Sequence, residues 1–362
     1  MISYIIFYYQ IVFFSYILIY LNNKKIKLLS LIIIGYILIL YAGFRIPSGG
    51  DWYNYRDIFI KISSYDEIFS YNIYAKEPLY LLLNLFIKEF SENYYLLFII
   101  ISFLSISINF YSYKKYTPYF LLSIILYMSF FYYFRELGAI RAGLAYAIFL
   151  FSIQYILKRN IIKFFLLNLI AIGFHYTAIL GLIIYPLYTY INWNKTKLFI
   201  LLFASILIYI LHMPNMIINA IVSVTSNNSF IIFQKIANYQ KDSSLVYQLG
   251  LFNITNIKNI LISIFFIYNY NSIKLKNSYF TIILLVFIIG TFFRILFSDF
   301  GVLAARSATL FNSVEVILLT YTLYLFKQKN IIIFLLVLYG SLQLYISFTM
   351  YEINTFKNYI FN

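Results

Sequence analysis

Charge in this chain is sorted by sign along its length, and that sorting constrains the fold more than any single motif. Six short clusters carry only basic residues: Lys24/Lys25/Lys27, Lys114/Lys115, Lys158/Arg159/Lys163, Lys195/Lys197, Lys274/Lys276 and Lys327/Lys329. Long apolar runs separate them. The segments between those runs hold nearly all of the 12 carboxylates, together with Arg45, Arg56, Arg135, Arg141, Arg294 and Arg306. Short loops rich in Lys and Arg stay on the cytoplasmic side of a membrane, so the six clusters define that side. The mixed-charge segments then define an exoplasmic face, where chemistry is expected.

Composition agrees. Hydrophobic residues make up 63% of the chain and charged residues 11%, with a mean hydropathy of +0.84, whereas a soluble domain carries about 25% charged residues. The formal charge of +15 does not imply nucleic acid, because about half of the 27 basic residues sit in the six clusters. The lipid bilayer is the expected partner. The absence of cysteine excludes disulfides, thiolate metal sites and a cysteine nucleophile, and neither metal nor cofactor is expected. Richness in Ile, Phe, Tyr, Asn and Lys is what AT-biased codons supply, so the 40 tyrosines are weak evidence for sugar-stacking platforms. The first apolar run, 2–21, lacks a basic flank and a small-residue cleavage site and is read as a retained helix.

A hydrocarbon core of about 30 Å needs about 20 apolar residues per spanning helix. That measure places spans near 2–21, 28–44, 94–112, 119–134, 142–157, 198–212, 258–272, 279–297, 309–326 and 331–350. The run 164–191 is long for one span and short for two, and parity between Lys163 and Lys195 makes it two short helices meeting near His175. The segment 78–90 is too short to span and is read as re-entrant or interfacial. The expected fold is an all-α polytopic membrane protein of about 11–13 transmembrane helices, a single integral membrane domain over 1–362. Its exoplasmic segments cover about 45–93 and 213–257.

The candidate chemistry lies in the outer segments. Pro47 and Gly49-Gly50 predict a tight turn beyond a helix end, holding Arg45 and Asp51 near the interface either as an anion-binding cation beside an acid or base or as a salt-bridged loop with Trp52 as an interfacial anchor. Arg135 and Glu136 read as a structural ion pair. Arg141 has no sequence-adjacent acid and suits an anionic ligand. Ala139, Gly143 and Ala147 form a small-residue stripe for close helix packing. His175, inside an apolar run, is costly at membrane depth and is a candidate for function, whereas His212 at a helix end is not. Arg294, Asp299 and Arg306 surround the last outer turn, and Glu315 beyond it needs a partner, for which Arg306 or His175 is expected. Arginines converging from several turns suit bidentate contact with phosphate. No motif for a nucleotide, a catalytic metal or a serine nucleophile is present.

The ordered set Arg45, Gly49-Gly50-Asp51, Asn54-Tyr55, Glu77-Pro78, Ile140-Arg141 with Gly143-Leu144-Ala145, Phe174-His175 and Arg306 resembles the EpsG family of Wzy-like polysaccharide polymerases. The likeness covers about residues 40–312. Ala142 stands where the family often carries Gln, and 307–311 fit its aromatic-rich continuation loosely. The resemblance implies a metal-independent glycosyltransferase of the GT-C kind at the outer face of the bacterial inner membrane. Such an enzyme transfers a growing glycan from undecaprenyl diphosphate to the next lipid-linked repeat unit, for capsule, exopolysaccharide or O-antigen. It would share a pathway with a flippase and a chain-length regulator.

On this reading Arg45, Arg141 and Arg306 bind diphosphate, and Tyr55, Glu77 and Arg294 line the substrate site. Asp51 is narrowly preferred as the base, with His175 orienting the acceptor. An O-antigen ligase or membrane acyltransferase would share the spans and the histidine. A flippase or other transporter should instead show charges at the bilayer midplane and matching halves.

The topology is testable by single-cysteine labelling in this cysteine-free chain. Positions in the six basic clusters should label only from the cytoplasm, and positions near Asp51, Arg141, Asn238 and Asp299 only from outside. External labelling at 195 with 163 protected would overturn the two-helix reading of 164–191.

Overall fold

Asparagine side chains start four of the long helices. Asn23 Oδ1 accepts from the backbone N–H groups of Lys25 and Ile26 at 2.9 and 3.2 Å and opens α2, Lys24–Gly43. Asn93, Asn194 and Asn253 do the same for Tyr94–Tyr116, Lys195–Ile210 and Ile254–Tyr268. A cap supplies acceptors for the orphan donors of a first turn, which is valuable where lipid cannot. The computed structural model describes residues 2–45, 47, 50–68, 77–211, 213, 216 and 249–350. The expectations at Gly49 and His212, and most of the segment 213–257, lie outside them.

The described residues are all-helical, 83% helix with no strands. In order the helices are α1 Ile2–Tyr20, α2 Lys24–Gly43, α3 Gly50–Lys61, α4 Pro78–Lys88, α5 Tyr94–Tyr116, α6 Phe120–Ser129, α7 Ile140–Leu157 and α8 Ile161–Phe174. They continue as α9 Ile184–Tyr190, α10 Lys195–Ile210, α11 Ile254–Tyr268, α12 Tyr270–Lys274, α13 Phe280–Leu296, α14 Gly301–Asn312, α15 Glu315–Leu318 and α16 Lys329–Met350. Five are long and apolar enough to cross a membrane: Ser3–Tyr20, Lys25–Gly43, Tyr94–Tyr116, Ile140–Leu157 and Lys329–Phe348. The number rises to seven if each of two bent pairs is one span. Five further apolar helices have 10–17 residues, so many of the expected spans are short or broken.

One break has a clear cause. Between α6 and α7 the chain winds a π-helical turn, Tyr132–Gly138, in which the Ala139 N–H reaches back five residues to the Phe134 carbonyl. This turn is itself bent by 67° from α6, and the break falls at Phe130, whose φ of −144° and ψ of −59° leave the helical region. Gly143 then fits under the turn. A Cβ there would meet Arg135 Cβ at 3.3 Å and Glu136 Oε2 at 3.4 Å, so this part of the small-residue stripe receives the preceding turn.

The chain divides into two compact units, 1–152 with 166–175 and 319–362, and 153–165 with 176–318. In the first, α2 packs on α5, while α1 and α16 pack on α6. Tyrosine hydroxyls pin backbone carbonyls across this packing, Tyr4 to Met128 and Tyr132 to Leu38 at 2.7 Å each, and Tyr321 to Tyr116 at 2.9 Å. A tyrosine suits this work because its ring is apolar and its tip needs an acceptor. On α3, Trp52, Tyr55, Ile58 and Phe59 are buried on one face against α4 and α5, and the Lys88 ammonium donates to the carbonyls of Ile60 and Ile62 at its end. In the second unit α13 is apolar nearly all round and buried, and it packs against α10, α11 and α14.

Close approach of α13 and α14 depends on Gly290, where a Cβ would lie 2.1 Å from Asn312 Oδ1 and 2.9 Å from Phe311 Cβ. Gly290→Leu should therefore lower the melting temperature in detergent, at a cost of about 1–3 kcal/mol. Gly35→Ala should leave it nearly unchanged, because a Cβ at position 35 meets Phe110 at an ordinary 3.5 Å. Equal melting of the two variants would refute the close packing.

Candidate functional site

Three ionisable groups from separate elements of the first unit meet on one carboxylate. Glu77 immediately precedes α4, whose first position is taken by Pro78, a residue with no backbone N–H to satisfy there. Its Oε2 is ion-paired with Arg141 Nη1 from the first turn of α7, and its Oε1 lies 3.2 Å from His175 Nδ1. His175 directly follows α8, with its backbone N–H still bonded to the Ala171 carbonyl at 2.9 Å. The helix ends there and a 3₁₀ segment, Tyr176–Ile183, begins one residue later, so the expected break near His175 is present.

Gly173 brings α8 up to α4. A Cβ at this position would lie 2.5 Å from both Cγ and Cδ1 of Leu79, two residues from Glu77. Contact between the imidazole and the carboxylate therefore rests on a glycine facing a leucine.

Glu77 is 2% exposed, whereas the side chains of Arg141 and His175 are 14% and 18% exposed. A ligand arriving from solvent meets the guanidinium and the imidazole before the acid. Burial by itself raises the Glu77 carboxyl, but the hydrogen bond with His175 and the positive charge of Arg141 outweigh it and hold the group at about 2. Glu77 is thus an anion at neutral pH.

Aromatic rings surround the cluster. The Arg141 guanidinium lies 5.5 Å from the ring centre of Tyr55 and 5.4 Å from that of Tyr80, and those rings are 5.9 Å apart in an edge-on arrangement. The Tyr146 ring is 5.9 Å from His175. Tyr146 in turn faces Arg135 at 4.6 Å, with Phe131 also 4.6 Å from that guanidinium. Cations held against ring faces keep their charge with little water.

The expected Arg135–Glu136 ion pair is not formed. Glu136 is fully buried and accepts from Ser105 Oγ at 2.8 Å and from Tyr127 OH at 2.6 Å, while Arg135 is held by aromatic faces. The two side chains go to different surroundings, the carboxylate to two hydroxyls and the guanidinium to two ring faces. Arg45 is 1% exposed and donates from Nη1 to the carbonyls of Glu136 and Ala42 at 2.7 and 3.2 Å, with its guanidinium 4.4 Å over Phe98. Its Nε and Nη2 have no hydrogen-bond partner among the described residues. These two atoms form the edge with which arginine grips an oxyanion in bidentate fashion.

Asp51 is exposed in the first turn of α3 and forms no ion pair with Arg45. Arg294 and Arg306 belong to the second unit. Arg294 is buried at the end of α13 with Nη2 3.5 Å from Asn253 Oδ1, and Arg306 is exposed on α14. Glu315 pairs with Lys258 Nζ at 2.7 Å, a lysine on α11 that the sequence did not single out as its partner. Lys258 was passed over because it stands alone at the edge of an apolar run. The one signal pointing to it was that very isolation. Among the described residues no cluster of three or more His, Cys, Asp or Glu side chains could hold a metal ion.

No curated protein and no solved structure matches the chain. The EpsG family profile matches residues 28–361, nearly the whole length. That span contains Arg45, Asp51, Tyr55, Glu77, Arg141, His175, Arg294 and Arg306. The chain therefore belongs to the EpsG family, whose members are Wzy-like polymerases.

Proposed function

We propose that this protein polymerises undecaprenyl diphosphate-linked oligosaccharide repeat units at the outer face of the cytoplasmic membrane, as a metal-independent glycosyltransferase. The product would be capsule, exopolysaccharide or O-antigen. The observation that carries this reading is the pairing of an accessible imidazole and an accessible guanidinium on one buried carboxylate, in a multi-pass chain of this family.

Transfer from a lipid diphosphate needs two services. A proton must leave the acceptor hydroxyl, and negative charge must be stabilised on the departing diphosphate. His175 takes the proton. The acceptor oxygen bonds to the anomeric carbon of the donor glycan, and the bond from that carbon to the diphosphate oxygen breaks with its electron pair. Arg141 stabilises the charge released on the lipid diphosphate. Tyr55, Tyr80 and Tyr146, all buried, back the guanidinium and the imidazole from within. His175 then returns its proton to solvent or to the diphosphate.

This reading moves the role of base from Asp51 to His175. Its ordinary pKa is near neutrality, which suits a base at physiological pH. Asp51 is exposed and forms no ion pair among the described residues, so nothing there orients it towards a substrate hydroxyl.

The assay is chain elongation by purified protein in nanodiscs. The substrate is lipid-linked oligosaccharide extracted from cells in which this gene is deleted. His175→Gln should lower turnover by about 10²–10⁴-fold, the usual contribution of a general base. Arg141→Lys should lower it by about 10²-fold, because the charge stays but the planar fork is lost. Asp51→Asn should cost less than about tenfold. Near-normal elongation by His175→Gln with a dead Asp51→Asn enzyme would reverse the assignment.

A further inference from the structure

We infer that Glu77 is a positioning residue for the transfer: it holds the His175 ring in the tautomer with hydrogen on Nδ1 and aims the lone pair of Nε2 at the acceptor hydroxyl. The inference rests on His175 being the base. It departs from a substrate-binding role for Glu77, because that carboxylate is 2% exposed and already engaged through both oxygens, Oε1 by His175 and Oε2 by Arg141.

The chemistry follows from donors and acceptors. An ionised carboxylate can only accept hydrogen bonds, so a nitrogen 3.2 Å from Glu77 Oε1 must carry the hydrogen. That nitrogen is Nδ1. In the neutral ring the lone pair then resides on Nε2, the nitrogen able to take a proton. When Nε2 takes the acceptor proton, the imidazolium is stabilised by the carboxylate already beside it. No proton need pass to Glu77.

The opposing charge is Arg141, on the other oxygen of the same carboxylate. It keeps Glu77 ionised and fixes its plane, so the acid cannot rotate away from the ring. Around the pair stand Arg141 and Tyr146 from α7, Tyr80 from α4 and Tyr55 from α3. Burial raises the hydroxyls of Tyr55 and Tyr80, so neither supplies negative charge near neutral pH. Glu77 is the anion in direct contact with the ring. The contact also requires Gly173, since any side chain there would push α4 and its leading glutamate away from α8.

Two measurements test this. The chain has two histidines, so ¹⁵N-histidine NMR on the full-length His212→Gln protein reports His175 alone. The expected signature is hydrogen on Nδ1 at neutral pH, with a shift toward the Nε2-hydrogen form when Glu77→Gln is added. Hydrogen on Nε2 in the protein with Glu77 intact would overturn the inference without any activity measurement, even if the Gln variant folded poorly.

The second measurement is the pH profile of kcat in the elongation assay. Base catalysis is lost as the imidazole takes up a proton in acid, and a carboxylate bonded to its Nδ1 favours that protonated ring. Glu77→Gln should therefore move the acid limb down by about one pH unit or more. It should also reduce kcat by about 10²–10⁴-fold with a smaller change in KM. Glu77→Asp, which keeps the charge, should return the limb toward its original position. An unmoved limb in Glu77→Gln would mean that Glu77 only braces the fold. Full turnover in His175→Gln would instead refute the base assignment, so the two failures are distinguishable.

Discussion

Removing charge from water is expensive, and a membrane protein must meet that cost at each buried ion. The buried charged residues among those described are Arg45, Glu77, Arg135, Glu136, Arg294 and Glu315, and none comes from the six basic clusters. Each is held by groups that offset desolvation: carbonyls for Arg45, ring faces for Arg135, hydroxyls for Glu136, an asparagine oxygen for Arg294, a lysine for Glu315, and a guanidinium with an imidazole for Glu77. Much of the local architecture serves these groups. The π-turn presents the Glu136 carbonyl to Arg45, the glycine at 143 makes room under that turn, and the break after α8 leaves His175 facing an acid.

The same physics explains what could be read from sequence. Sorting of charge by sign was visible without structure because Lys in short loops and Arg among carboxylates obey different constraints. The lysines of the clusters whose side chains are described are indeed not buried, and the second set supplies Arg45, Arg135 and Arg294 to the interior. The break near His175 was legible from run length and parity. The helix over 50–61 was not among the expected elements, since Pro47 and Gly49-Gly50 signal a turn there. The helical stripe of Trp52, Tyr55, Ile58 and Phe59 did not stand out in a chain that is 63% hydrophobic.

Partners were harder to foresee than residues. Glu77, Arg141 and His175 were each singled out, yet their meeting was not, since 64 and 98 residues separate the glutamate from the other two. Adjacency misled in the opposite direction for Arg135 and Glu136. Lys258 was missed because a lone lysine in an apolar run looks like the end of a span, and its meaning comes only from Glu315.

Gly173 has a consequence that reaches past packing. The placement of an acid beside an imidazole is encoded here in the absence of one methyl group, opposite an aliphatic side chain that takes no part in proton transfer. A larger residue at position 79 or any side chain at 173 would act as an acid-base lesion while leaving every ionisable group intact. Natural variation at these two silent-looking positions should consequently be coupled, and a homologue that gains bulk at one will have to surrender it at the other to keep its histidine in register.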